Sequence, residues 1–167
     1  MIDRDIPLTE FLQDAWSFEQ RLLQLVEGQL AACRDRAARR LYREHSRLTE
    51  TQIKRLESRM EALGICPAPD EPWQPRGRFS QRLARLAADL AVADFWRDES
   101  VQGLINSYGI KQVECSMYRA LLKLAQTTDD EATATLARAN LEEEEATARR
   151  LLFCIGIATR GKNADAA

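Results

Sequence analysis

Histidine is almost missing from this sequence: His45 is the only one in 167 residues. A site that needs several imidazoles is therefore excluded, including the two glutamate-histidine pairs with which carboxylate bundles hold two metal ions. Glycine and proline are also scarce, at seven and five, which rules out collagen-like and low-complexity chains. An excess of one charge is lacking too. Against 24 basic residues stand 26 acidic ones, a net charge of −2, so no overall field exists to hold a nucleic-acid backbone or an anionic membrane. There is no membrane-spanning apolar run. The first residues, MIDRDIPLTEF, carry acids where a secretory signal would have its apolar stretch, so a cytoplasmic location is expected. Cys33, Cys66, Cys115 and Cys154 are scattered with no CxxC pair, and in a reducing compartment they read as small buried hydrophobes.

What is present is helical periodicity. Leu12, Trp16, Leu22, Leu23, Val26 and Leu30 predict a helix over residues 8 to 31, with Thr9 or Asp5 as its cap. Beyond a polar hinge at Cys33 to Asp35, the stripe Leu41, Leu48, Leu56, Met60, Leu63 predicts a second helix stopped by Gly64. The segment ICPAPDEPWQPRGR holds four of the five prolines, which remove helical donors and dihedrals, so it reads as a crossover linker. Phe79, Leu83, Leu86, Leu90 and Ala93 predict a helix within the crossover, ending near Asp98. A further helix is predicted from about Ser100 to Gln126. After the TTDDE turn, whose Asp129 and Asp130 suit a helix N-terminus, a last one runs to about Ile157. Strand alternation is absent. The expectation is all-α: a ferritin-like four-helix bundle with a long crossover carrying an additional helix. It forms one domain over residues 1–160, followed by a disordered tail at 161–167.

The apolar stripes carry acids. Glu19 interrupts Leu12, Ala15, Leu22, Val26; Glu114 interrupts Ile110, Met117, Leu121, Leu124; and in NLEEEEATARRLL the period set by Ala137, Ala148, Leu151 and Ile155 turns Glu144 inward. Glu142 and Glu143 point elsewhere, and Glu145 lies on a neighbouring seam. A carboxylate withdrawn from water costs several kcal/mol unless paired, protonated or metal-bound. Three readings stand: marginal acids paired with arginines and lysines, a remnant metal site, and a working redox site. On the second helix the inward positions read His45, Leu48 or Thr49, and Gln52, with no acid unless Glu50 turns in. His45 reads as a hydrogen-bonded boundary residue, Trp16, Tyr108 and Tyr118 as packing residues, and the cluster Arg34, Arg36, Arg39, Arg40, Arg43 as a solvated face.

WSFEQRLL around Glu19, REHSRLTETQIKRLESRMEALG followed by Pro67, VECSMY around Glu114, and NLEEEEATARRLL resemble, in this order and spacing, the stress-associated YciF/YciE-type ferritin-like family of unknown function. The resemblance spans about Phe11 to Leu152. It implies a ferritin-like bundle paired as a homodimer, some members being similar to di-iron proteins. By that resemblance Glu19, Glu114 and Glu143 or Glu144 match family acids, whereas Arg47 and Glu50 stand where helix 2 of the family tends to have a glutamate and a histidine. Lys111 stands where an acid is expected three residues before Glu114, and Ala148 replaces an aspartate. A cation in a ligand position repels a metal ion. The expected protein is therefore non-enzymatic, with a degenerate di-metal site, no cofactor, no nucleic-acid or membrane partner, and a surface, including Phe95 and Trp96, for an unidentified protein partner. The alternative is a di-iron carboxylate oxidoreductase or iron-handling protein. Iron or another divalent metal would then sit on Glu19, Glu114 and Glu144, with Glu50, Glu143 and His45 as second candidates.

Overall fold

The computed structural model describes residues 7–32, 36–65 and 101–164. They form four helices: α1 (Leu8–Ala32), α2 (Arg36–Ala62), α3 (Val101–Thr127) and α4 (Glu131–Ala164), with no strand among the described residues. The predicted crossover helix, with Phe95 and Trp96, lies outside them, as do Cys33, Cys66 and Asp5.

Most of the stripe residues predicted from periodicity pack, whereas Leu63, the last of the second stripe, is exposed. Leu12, Trp16, Leu22 and Val26 of α1, Leu56 and Met60 of α2, and Ile110, Met117 and Leu121 of α3 are all buried. Fully burying one such side chain stabilises by about 1.5–3 kcal/mol. α1 packs on α2 and α3 on α4 as two hairpins, and the hairpins meet through α1 with α3 and α2 with α4. Polar bridges give the direction of the second contact: Arg59 reaches Asp130, Arg55 reaches Glu143, and Arg150 reaches Glu44. Rising numbers on α2 pair with falling numbers on α4, so these two are antiparallel. α2 and α3 then run the same way, and the chain between Ile65 and Val101 connects opposite ends of the bundle.

Helix ends follow local chemistry. Gly64 takes φ 70°, and the Ile65 N–H donates to Met60 O at 2.9 Å, closing α2 with the left-handed cap that glycine permits without a Cβ penalty. α3 closes the same way at Asp129, φ 54°, with the Asp130 N–H on Ala125 O. Asp130 then begins α4, its Oδ1 accepting from the Thr133 N–H at 3.0 Å. Asp130 Oδ2 takes the Arg59 guanidinium at 2.6 Å. The Asp130→Ala variant loses both a cap and a partly buried ion pair, and we expect a cost of about 1–2 kcal/mol, read as a lower urea midpoint with unchanged helix content.

Two boundaries differ from the sequence expectation. Thr9 lies inside α1, whose first bond runs from the Phe11 N–H to Pro7 O, because proline already supplies the turn that precedes the helix. α4 continues to Ala164, past Ile157 and through much of the segment expected to be a disordered tail. No proline follows Pro75, so nothing in the backbone bars propagation.

Candidate functional site

Midway along the bundle, each of the four helices places polar side chains in the core. α1 contributes Glu19, α2 contributes Thr49 and Gln52, α3 contributes Lys111, Glu114 and Tyr118, and α4 contributes Asn140 and Glu144; all are essentially sealed from solvent. This corrects the marginal position expected for the three glutamates, each of which has 0% exposure, whereas the expected pairing with a basic residue holds for Glu114 and Glu144. The predicted inward set Glu19, Glu114, Glu144 is thus brought together in one layer.

Lys111 organises it. Its Nζ lies 2.9 Å from Glu114 Oε1 and 2.8 Å from Oε2, one helical step of three residues away, and 2.6 Å from Glu144 Oε2 across the α3–α4 interface. Gln52 Nε2 donates to the other Glu144 oxygen at 2.7 Å, and the Tyr118 hydroxyl donates to Glu19 Oε1 at 2.7 Å. One ammonium therefore holds two carboxyl groups, the Gln52 amide adds a bond to one of them, and the Tyr118 phenol holds the third acid, Glu19.

The electrostatics follow from burial. Desolvation, then the nearby Glu144 carboxylate, push the Glu19 carboxyl up to about 8, against the smaller opposing pulls of Lys111 and the Tyr118 hydrogen bond. The same two causes raise Glu114 well above the carboxylate range in spite of Lys111. Burial alone would lower Lys111, but Glu114, Glu144 and Glu19 outweigh it and hold the ammonium above its ordinary range. Tyr118 is raised by burial and by Glu19, which keeps its hydroxyl a donor. Burial and like charge thus favour the protonated forms of Glu19 and Glu114, while the Lys111 ammonium, 2.6 Å from Glu144, opposes them.

The second candidates do not join. Glu50 is exposed, because its position on α2 falls on the solvent side of the stripe marked by Thr49 and Ile53. Arg47 is exposed as well and is not at the site. Glu143 faces the α2–α4 seam, gripped by Arg55 through two parallel bonds of 2.7 and 2.8 Å. Glu145 pairs with Arg119 at 2.6 Å on the surface. His45 lies nearby, with its Nε2 buried and without a hydrogen-bond partner among the described residues. Burial, then Lys111, hold it well below its ordinary pKa. Trp16 packs as expected and also donates to Glu57 Oε1 at 3.0 Å. Sequence reasoning assigned no role to Asn140, Arg55 or the Tyr118 hydroxyl. The i,i+3 spacing of Lys111 and Glu114 is the sequence signal that could have found that pair.

A divalent ion does not suit this donor set. The position between Glu114 and Glu144 that a cation would take is filled by the Lys111 ammonium, and no group of three metal-binding side chains occurs among the described residues.

Fold and site together define a four-helix bundle with an ion-paired carboxylate layer in its core. The chain belongs to the family described as "Domain of unknown function (DUF892)", whose model matches residues 6–167. No curated protein matches it. Among solved structures it is similar to the E. coli stress protein YciF, at 17% identity and a TM-score of 0.71 over 92% of this chain and 94% of that one. It is similar also to a protein from Xanthomonas campestris pv. campestris, at 18% identity and TM-score 0.67, with 96% of each chain covered. The YcfI protein from Rhodopseudomonas palustris matches at 19% identity and TM-score 0.70, over 90% and 97% of the two chains. At these identities the likeness extends to the fold. Among the described residues no helix is long and apolar enough to cross a membrane.

Proposed function

We propose that this chain is a non-catalytic, ferritin-like bundle in which a lysine has replaced the metal of a di-metal carboxylate site, and that it acts through its surface as a cytoplasmic homodimer in a stress-associated role. The observation that carries this reading is the Lys111 ammonium between Glu114 and Glu144 at 2.6 to 2.9 Å. It supplies internally the positive charge that a divalent ion would otherwise bring, and it repels one. The stress-associated part rests on the similarity in fold to the E. coli stress protein YciF. The surface role draws support from apolar side chains left exposed on α3 and the distal part of α4, namely Ile105, Leu152, Phe153 and Ile157.

Metal analysis of protein purified without chelator tests the first part. Substoichiometric iron and no oxo-bridged absorption band are expected. About two irons per chain, as a di-iron bundle holds, would favour an oxidoreductase or iron-handling protein instead. Light scattering tests the second part, with twice the chain mass of 19.0 kDa expected and a monomer at high concentration counting against it.

A further inference from the structure

The distal part of α4 is apolar on every side. From Leu151 to Ala158 the sequence reads LLFCIGIA, without one polar side chain, and a helix that is apolar all round belongs in a buried setting. Here the cover is one-sided. Leu151 is buried against the bundle, whereas Leu152, Phe153 and Ile157 are 53%, 66% and 51% exposed. Lys111 of α3 stands level with Glu144, so on this antiparallel hairpin Ile105, 44% exposed, comes level with the start of the run and extends the patch.

We propose that this face pairs with the same face of a second copy, α4 against α4 in antiparallel register across a two-fold axis, each Phe153 seated over the partner's Gly156. This pairing rests on the homodimer proposed above, whose contact surface it supplies. The four side chains expose about 400 Å2 of apolar surface per copy, a patch size that is often functional on a soluble protein. Interfaces are about three-fifths apolar, so such a patch forms the centre of a face of about 650 to 700 Å2. Two copies then bury about 1,300 to 1,400 Å2, inside the roughly 1,200–2,000 Å2 of stable pairs. Shape and charge both suit a second copy. A two-fold contact needs a surface complementary to itself: Phe153 is the projection, and Gly156, half-buried and nearly one turn along the same helix, is the recess. A face that meets itself must also avoid unbalanced charge of one sign. Arg149 and Arg150, which precede the run, already reach Glu145 and Glu44 of their own chain at 3.8 and 3.6 Å.

Sedimentation velocity of the full chain over a micromolar concentration series tests the pairing. The parent is expected to be a dimer. Phe153→Asp sets a charge at the centre of the contact and should raise the dimer dissociation constant about 30-fold or more, as loss of a central aromatic anchor does. Helix content should stay at the parental level, because the side chain is exposed. Gly156→Leu keeps the face apolar but fills the recess, and it should weaken pairing too, which separates shape from general stickiness. Leu63→Asp, at an exposed apolar position just past the far end of α2, should leave the dimer intact. A parent dimer that survives Phe153→Asp or Gly156→Leu overturns this contact surface and leaves the homodimer reading standing. A monomeric parent overturns both, and a lower melting temperature of its Phe153→Asp variant would then assign the face to another segment of the same chain.

Discussion

Lys111→Ala is expected to destabilise the chain at neutral pH by about 3 to 5 kcal/mol, the range found when one partner of a buried ion pair is removed. For a protein of this size that is a fall of about 10 °C in melting temperature. The substitution removes the only cation that, among the described residues, contacts Glu114 and Glu144, and it leaves space where the lysine stem was packed. Glu144→Gln should cost much less, about 1–2 kcal/mol. The amide keeps the size of the side chain, and Glu114, with both oxygens within 3 Å of Nζ, remains as a counterion. Gln52 can also turn its amide over, since its Oε1 has no hydrogen-bond partner, and accept from the new donor. Acid pH separates charge from packing. When the remaining carboxyls take up protons, the charge part of the Lys111→Ala penalty should shrink and only the cavity part persist. Thermal melts of both variants at pH 7 and pH 5 make the comparison. If both melt at the parent temperature, the layer does not hold the fold together.

The helices and their pairing were legible because they rest on repeated, redundant signals. Six apolar positions on α1 need only agree on a period, and Gly64 and Asp130 mark ends by local chemistry that does not depend on distant contacts. The inward direction of Glu19, Glu114 and Glu144 was legible for the same reason. What periodicity cannot convey is depth, which separates an acid at the stripe margin from one sealed between four helices. Nor can it convey partnership. Gln52, Asn140 and Tyr118 look like ordinary polar residues until the helices are set at one level, and the register of Lys111 against the opposing helix is a property of packing. The Arg55 grip on Glu143 likewise joins residues 88 apart in sequence, beyond the reach of any local pattern.

Stability should fall as pH rises from about 6.5 to about 8, and Glu19 is the main reason. Its folded pKa of about 8 stands above the ordinary 4.5, so between those values the folded chain holds a proton that the unfolded chain has released. A group raised in this way contributes most below its unfolded pKa and loses that contribution as pH climbs to the folded one. Glu114 is raised as well and acts in the same direction. His45 acts in the opposite one: with its pKa lowered from 6.5, it weakens the fold as pH drops below that value, because the unfolded chain takes the proton first. Below pH 6.5 the two trends oppose each other. Other raised groups titrate higher, Cys115 from 9.0 to about 11 and Lys111 above 10.5, so the interval from 6.5 to 8 isolates the buried acids. Over those one and a half units one such group changes stability by on the order of 2 kcal/mol. Urea unfolding at pH 6.5 and 8.0 should show the loss in the parent. Glu19→Gln, which keeps an acceptor for the Tyr118 hydroxyl and cannot ionise, should show a markedly flatter dependence. A parent whose urea midpoint is unchanged across this interval would mean that Glu19 is already ionised in the fold, stabilised by Lys111 and Tyr118 more strongly than burial opposes it.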